Sequence, residues 1–204
     1  MGLEKLLQLN IEYPKLREVL ESVKKGNKIV QIERLAAAAK GLMLAGIFAE
    51  TGRTQLLLTY TYEQAERLAE DLPLYGVPKD KVLFYPPSDS LIYEEGPPDY
   101  SIVGERLCAL QSLANGQSVI VVAPINAALR RTMPRDVLQR SFVGVKPGDE
   151  MDMDDFVHKL VRMGYEPTDV VDRHGEFSRR GGIVDVYASN MDQPLRVELF
   201  GDEV

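Results

Sequence analysis

Hydrophobic positions along this chain change period several times, from helical spacing to strict alternation and back. Leu16, Val19, Leu20 and Val23 mark a helix over residues 14–25 that stops at Gly26, and the apolar run at residues 28–32 reads as a short buried strand. Residues 34–50, rich in alanine and other small side chains, form the next predicted helix, closed by Gly52. A second strand is expected at residues 54–60. It runs into Thr61-Tyr62-Glu63-Gln64, which has the spacing of a capping box for a helix ending near Gly76. Residues 81–85 form a third strand, and residues 86–100, with four prolines, a loop. Ser101 is placed to cap a helix running to Asn115, with Gly116 at its end, and residues 118–122 are a fourth strand. Strands separated by helices of this length imply crossover connections and a parallel sheet.

After Pro134 the texture changes. Residues 142–149 read as a strand and turn, and Asp152 with Asp155 opens a helix through Phe156, Leu160 and Val161 to Gly164. Gly175 and the pair Gly181-Gly182 bracket a short segment as in a tight hairpin, followed by a β-branched and aromatic strand at residues 183–187. In the run from residue 195 to 200, alternation puts Leu195, Val197 and Leu199 on one face and Arg196, Glu198 and Phe200 on the other. Phe200 is the odd member of the charged face, and an arginine beside an aromatic is the composition of a binding hot spot. The organisation expected is an α/β domain over residues 1–140 and a small α+β domain over residues 141–204. No flexible linker or internal repeat separates them.

Composition narrows the function. The chain has 204 residues, 45% of them apolar, enough for a sizeable core, and its formal net charge of -7 disfavours binding to phosphate backbones. Its single cysteine, Cys108, sits in an apolar helical pattern and forms no intramolecular disulfide. Neither a secretory signal nor a run of membrane-spanning length is present, and a reducing cytoplasm fits. The chain stops after Phe200-Gly201-Asp202-Glu203-Val204 without a capping element, as expected of a piece of a longer protein.

Strand, loop and helix in that order is where a nucleotide-phosphate loop would lie. Aligning Lys40 with the lysine of that motif puts Arg34 and Ala39 where glycines belong, and Gly41 where the Mg²⁺-binding hydroxyl belongs. The glycines let backbone N–H groups turn toward the phosphates and the hydroxyl ligates the cation, so Lys40 alone marks a degenerate loop. The strand ending in Ala123-Pro124 carries no acid at its carboxyl end. His158, His174 and Cys108 lack metal-ligand spacing, and the aspartates from Asp149 to Asp155 suit a helix amino terminus, so neither metal nor cofactor is expected.

On spacing alone the hairpin's arginines suit a solvated sheet edge, with Arg196 paired across strands to Asp185 or along its own face to Glu198. However, His174-Gly175-Glu176-Phe177, Arg180-Gly181-Gly182-Ile183-Val184-Asp185-Val186 and Arg196-Val197-Glu198-Leu199-Phe200-Gly201-Asp202-Glu203 resemble a signature of the bacterial transcription-repair coupling factors, the Mfd family, in their UvrB-homologous N-terminal module. Asp89-Ser90-Leu91-Ile92-Tyr93-Glu94, Val103-Gly104-Glu105-Arg106-Leu107 and the segment from Pro124 to Pro134 are similar to that module's first domain. UvrB itself keeps an intact phosphate loop and a long aromatic hairpin, which this chain lacks. The resemblance implies a degenerate P-loop helicase-like parallel-sheet domain with a small inserted α+β domain. It implies a non-catalytic module that docks UvrA, the damage-recognition ATPase, through positions matched by Arg180, Arg196 and Phe200. ATPase and translocase activity, contacts to RNA polymerase and DNA, and a region able to mask the docking face would belong to the continuation. The alternative is a nucleotide- or DNA-binding fragment of a helicase-class ATPase.

Overall fold

The computed structural model describes residues 14–88, 99–191 and 193–204. The motif at residues 89–94, most of the proline-rich loop and the amino-terminal residues through 13 lie outside them. Two compact units form: Met1–Pro87 with Ser112–Arg131, and Ser88–Gln111 with Thr132–Val204. The boundary expected near Ser141 falls inside the second.

The first unit opens with α1 (Pro14–Lys24), whose Leu16 and Leu20 are buried one turn apart. α2 (Ala37–Thr51), β1 (Gln55–Thr59), α3 (Tyr62–Leu74), β2 (Val82–Phe84) and β3 (Ile120–Pro124) follow, and α4 (Tyr100–Ala114) lies between β2 and β3 in sequence. The sheet is parallel throughout, in the order β1-β3-β2. Central β3 is buried along its whole length, which explains why it reads as an unbroken apolar run. Its Ile120 and Val122 pack with Ala45 of α2 and with Ala65 and Leu72 of α3. The expected cap is present: Thr61 Oγ1 accepts from the Gln64 amide at 3.3 Å.

The strand expected at residues 28–32 does not form. Ile29 is 86% exposed, and β1, where a further parallel strand could have joined, pairs among the described residues with β3. Three apolar residues in a short run carry strand propensity, but a ladder partner decides the outcome.

In the second unit a mixed sheet has the order β4 (Glu166–Pro167), β5 (Glu176–Arg180), β6 (Ile183–Val186), β7 (Leu195–Glu198); β4 runs parallel to β5 and the other pairs are antiparallel. Of two further short helices, α5 (Ile125–Ala128) belongs to the first unit and α6 (Arg135–Arg140) to the second. α7 (Met153–Arg162) starts where Asp152 accepts the Asp155 amide at 2.9 Å, and buries Phe156 and Leu160 against Phe177, Val184, Val186, Val197 and Leu199. Thus two of the clustered aspartates serve the helix start, while Asp154 pairs with Arg179 and Asp149 accepts the Lys146 amide. Residues 142–146 form no strand. The pairing here belongs to residues 148–151, which bond the returning chain end through Gly148 N–H to Val204 O and Met151 N–H to Asp202 O.

α4 begins two residues earlier than expected, and the side chain that caps it is Asp99 rather than Ser101, accepting from the Ser101 amide at 2.9 Å. Gly104 in this helix lies against the turn around Ser189: an added Cβ would sit 1.8 Å from the Ser189 carbonyl oxygen. Helix propensity favours Gly104→Ala by about 1 kcal/mol. A methyl driven into backbone that close costs more, and net destabilisation of about 1–3 kcal/mol is expected. Thermal melting of the variant checks it; a raised midpoint would show that the close approach is not retained.

Candidate functional site

The β5–β6 hairpin is closed by two residues, Gly181 and Gly182, because Arg180 pairs with Ile183. Gly181 adopts φ 61°, a conformation that residues with a Cβ rarely take, and this fits the glycine at the first central position of a two-residue turn. Register then assigns the faces. Phe177, Val184, Val186 and Val197 point into the core with Leu199. The opposite, outer face carries Ser178, Arg180, Ile183, Asp185, Arg196 and Glu198. Ser178, Asp185 and Arg196 form one row across three strands, and Arg180, Ile183 and Glu198 the next.

Arg196 is held by its cross-strand neighbour. Its Nε and Nη2 donate to the two carboxylate oxygens of Asp185 at 2.7 and 2.8 Å. Of the two pairings open in the sequence, the ladder selects Asp185, which is directly opposite, over Glu198 two residues along the same strand. These hydrogen bonds hold the Asp185 carboxyl below its ordinary pKa and raise that of Arg196, and the charge of Arg180 also acts on Asp185. Arg180 is exposed at the turn and donates through Nη2 to the Asp169 carbonyl at 2.6 Å. Ser178 Oγ donates to the same carbonyl at 3.2 Å, so the segment before β5 is tied to this edge of the face. Nothing in the sequence marks Asp169, because its contribution is a backbone oxygen.

Phe200 lies just past β7, where the chain reverses through Gly201 and Asp202; its amide donates to the Glu203 carbonyl at 2.8 Å. The alternation persists beyond the strand, with Leu199 8% and Phe200 83% exposed. A phenyl ring presented so fully to water is a candidate anchor.

Glu176 supports the other end of the hairpin. Its carboxylate accepts the amides of Asp172 and Arg173 at 2.9 and 3.0 Å, which lower its pKa, the Asp172 bond foremost. His174 Nε2 lies 3.0 Å from the Met191 carbonyl and its ring rests on Tyr187, a structural role. His158 is exposed on α7. Since Glu176 and Asp185 have depressed native pKa values, the stability they contribute is present above the unfolded carboxylate values of about 4 and is lost as pH falls through the native ones. The melting temperature should therefore drop with acidification below about pH 4, and less steeply in Glu176→Gln. An identical acid limb in that variant would remove Glu176 from the linkage.

Lys40, the degenerate phosphate-loop position, is exposed in the first turn and a half of α2, and residues 27–36 before it are irregular. Gly41 beside it serves packing: an added Cβ would lie 2.8 Å from Tyr75 Cε2, where α2 meets the end of α3. Among the described residues no group of three or more His, Cys, Asp or Glu could hold a metal ion, and no helix is long and apolar enough to cross a membrane.

Residues 143–204, which contain the whole outer face, match the family model of the UvrB interaction domain. Over 189 residues, 92% of this chain, the sequence is 31% identical to the transcription-repair-coupling factor of Bacillus subtilis (strain 168). Over 170 residues it is 33% identical to that of Staphylococcus aureus (strain USA300). The chain spans only 16% and 14% of those two proteins.

Proposed function

We propose, from the premise that this chain belongs to the transcription-repair-coupling factor family and carries a UvrB interaction domain at residues 143–204, that it is a non-catalytic docking module for the excision-repair protein UvrA. The observations that support the reading are the outer hairpin face, which carries Arg180 and Arg196, and an almost fully exposed Phe200 just past the end of β7. Aromatic and arginine side chains dominate the energetics of protein interfaces, and Phe200 contributes nothing to the domain core that would explain its being apolar. The docking domain in this reading is residues 141–204. The first unit is a helicase-like fold whose phosphate loop has degenerated around Lys40, and it holds no nucleotide. ATP-driven translocation and contacts to RNA polymerase and DNA belong to parts of the relatives that this chain does not span.

Calorimetric titration separates these roles. UvrA titrated into the chain gives saturable heat, and Mg²⁺-ATP gives none. Absence of UvrA binding would overturn the docking function, and saturable nucleotide binding would overturn the degenerate loop.

A further inference from the structure

Four of the five N–H groups of a guanidinium form two bidentate edges, one made by Nε with an Nη and the other by the two Nη atoms. In Arg196 the first edge is fully occupied by Asp185. The second edge, with one proton of Nη1 and one of Nη2, has no partner among the described residues, and the Arg196 side chain remains 64% exposed against 26% for Asp185. The pair is thus asymmetric, with the carboxylate sunk into the sheet surface and the cation standing above it. The face has two cations, Arg180 and Arg196, and two anions, Asp185 and Glu198. Long-range attraction from a balanced set of this kind is weak, so recognition here depends on geometry.

We infer that Asp185 is a positioning residue for docking: it fixes Arg196 so that the free Nη1/Nη2 edge receives a carboxylate side chain of the protein partner as a second, end-on bidentate pair. This rests on the docking reading above and adds the chemistry of the contact. An unclamped arginine loses much rotamer freedom when it is captured, whereas one already held loses little, and preorganisation of this kind strengthens binding. Lysine could not replace arginine here, since one ammonium cannot present two parallel planar edges. The opposite arrangement, in which Asp185 occupies Arg196 and must release it to the partner, makes the reverse prediction for removal of the carboxylate.

The test is the affinity of the chain for UvrA, measured for the wild type, Asp185→Ala, Asp185→Asn, Asp185→Glu, Arg196→Ala and the double variant Asp185→Ala with Arg196→Ala, each with a melting curve. Asp185→Ala and Asp185→Asn should weaken binding roughly tenfold, a size typical of coupled neighbours. They should do so although each removes a negative charge from a face meant to meet an acid. Asp185→Glu should recover part of the loss, and Asp185→Ala should have no further effect once Arg196 is gone. The isosteric Asn keeps the test available if the Ala variant fails to fold. Unchanged or tighter binding in folded Asp185 variants would overturn the inference, as would an equal loss with and without Arg196, because Asp185 would then act independently of it. Wild-type affinity in Arg196→Ala would take Arg196 out of the contact and overturn the inference, whereas absence of UvrA binding by the wild type would overturn the docking reading itself.

Discussion

Phe200→Ala is expected to lower the affinity of this chain for UvrA by roughly thirtyfold, the equivalent of about 2 kcal/mol for loss of a hot-spot aromatic, and to leave the domain as stable as before. The two halves of that expectation have separate causes. The ring is 83% exposed, so its removal takes little area out of the folded protein, and a change within about 0.5 kcal/mol is usual for such positions. Bound to a partner, the same ring would be covered on most of its surface, which is where an aromatic anchor gains its free energy. Affinity by calorimetry and the midpoint of a thermal melt, taken on the same sample, separate the two. A large fall in the midpoint would place Phe200 among the structural residues and withdraw it from the docking face.

Phe177→Ala has the opposite profile. Phe177 is 3% exposed, on the core face of β5 opposite Val186, and belongs to the cluster with Phe156, Leu160 and Val184. Truncating a buried phenylalanine removes its burial and leaves a cavity, at a cost of about 3–5 kcal/mol. Against a typical total of about 5–15 kcal/mol this is a large share, and for a unit of this size it lowers the melting midpoint by about 12 °C or more. UvrA binding should fall only as far as the fraction folded falls, and should return at low temperature. Chemical denaturation of the wild type and variant checks the stability change; a midpoint shifted by less than about 1 kcal/mol equivalent would show that the core is not arranged around this ring.

These two phenylalanines also mark what was readable in the sequence. Period-two alternation assigned Val197 and Leu199 to one side and Arg196 and Phe200 to the other, because a strand with one buried face has its side chains sorted by parity alone. Parity could not choose between Asp185 and Glu198 as partner for Arg196, since both share its face; only the register of β6 on β7 decides. The parallel sheet was legible from strands spaced by helices. The expected strand at residues 28–32 was not forthcoming, because apolar composition says nothing about whether a neighbouring edge is available. Helix starts were readable where a side chain caps its own turn, as at Thr61 and Asp152, yet at α4 the cap is Asp99 in place of the expected Ser101. Close approaches such as Gly104 on Ser189 and Gly41 on Tyr75 join residues far apart in sequence and left only a glycine as a trace. The carbonyl of Asp169, which ties Arg180 and Ser178 to one edge, left none.

The docking face is tested most directly by equilibrium titration of UvrA against the wild-type chain and the Arg180→Ala, Arg196→Ala and Phe200→Ala variants, each shown to be folded. Saturable binding by the wild type, with a loss of roughly tenfold or more in every variant, is the result expected of a hot-spot cluster. Binding by all three folded variants with wild-type affinity would contradict it.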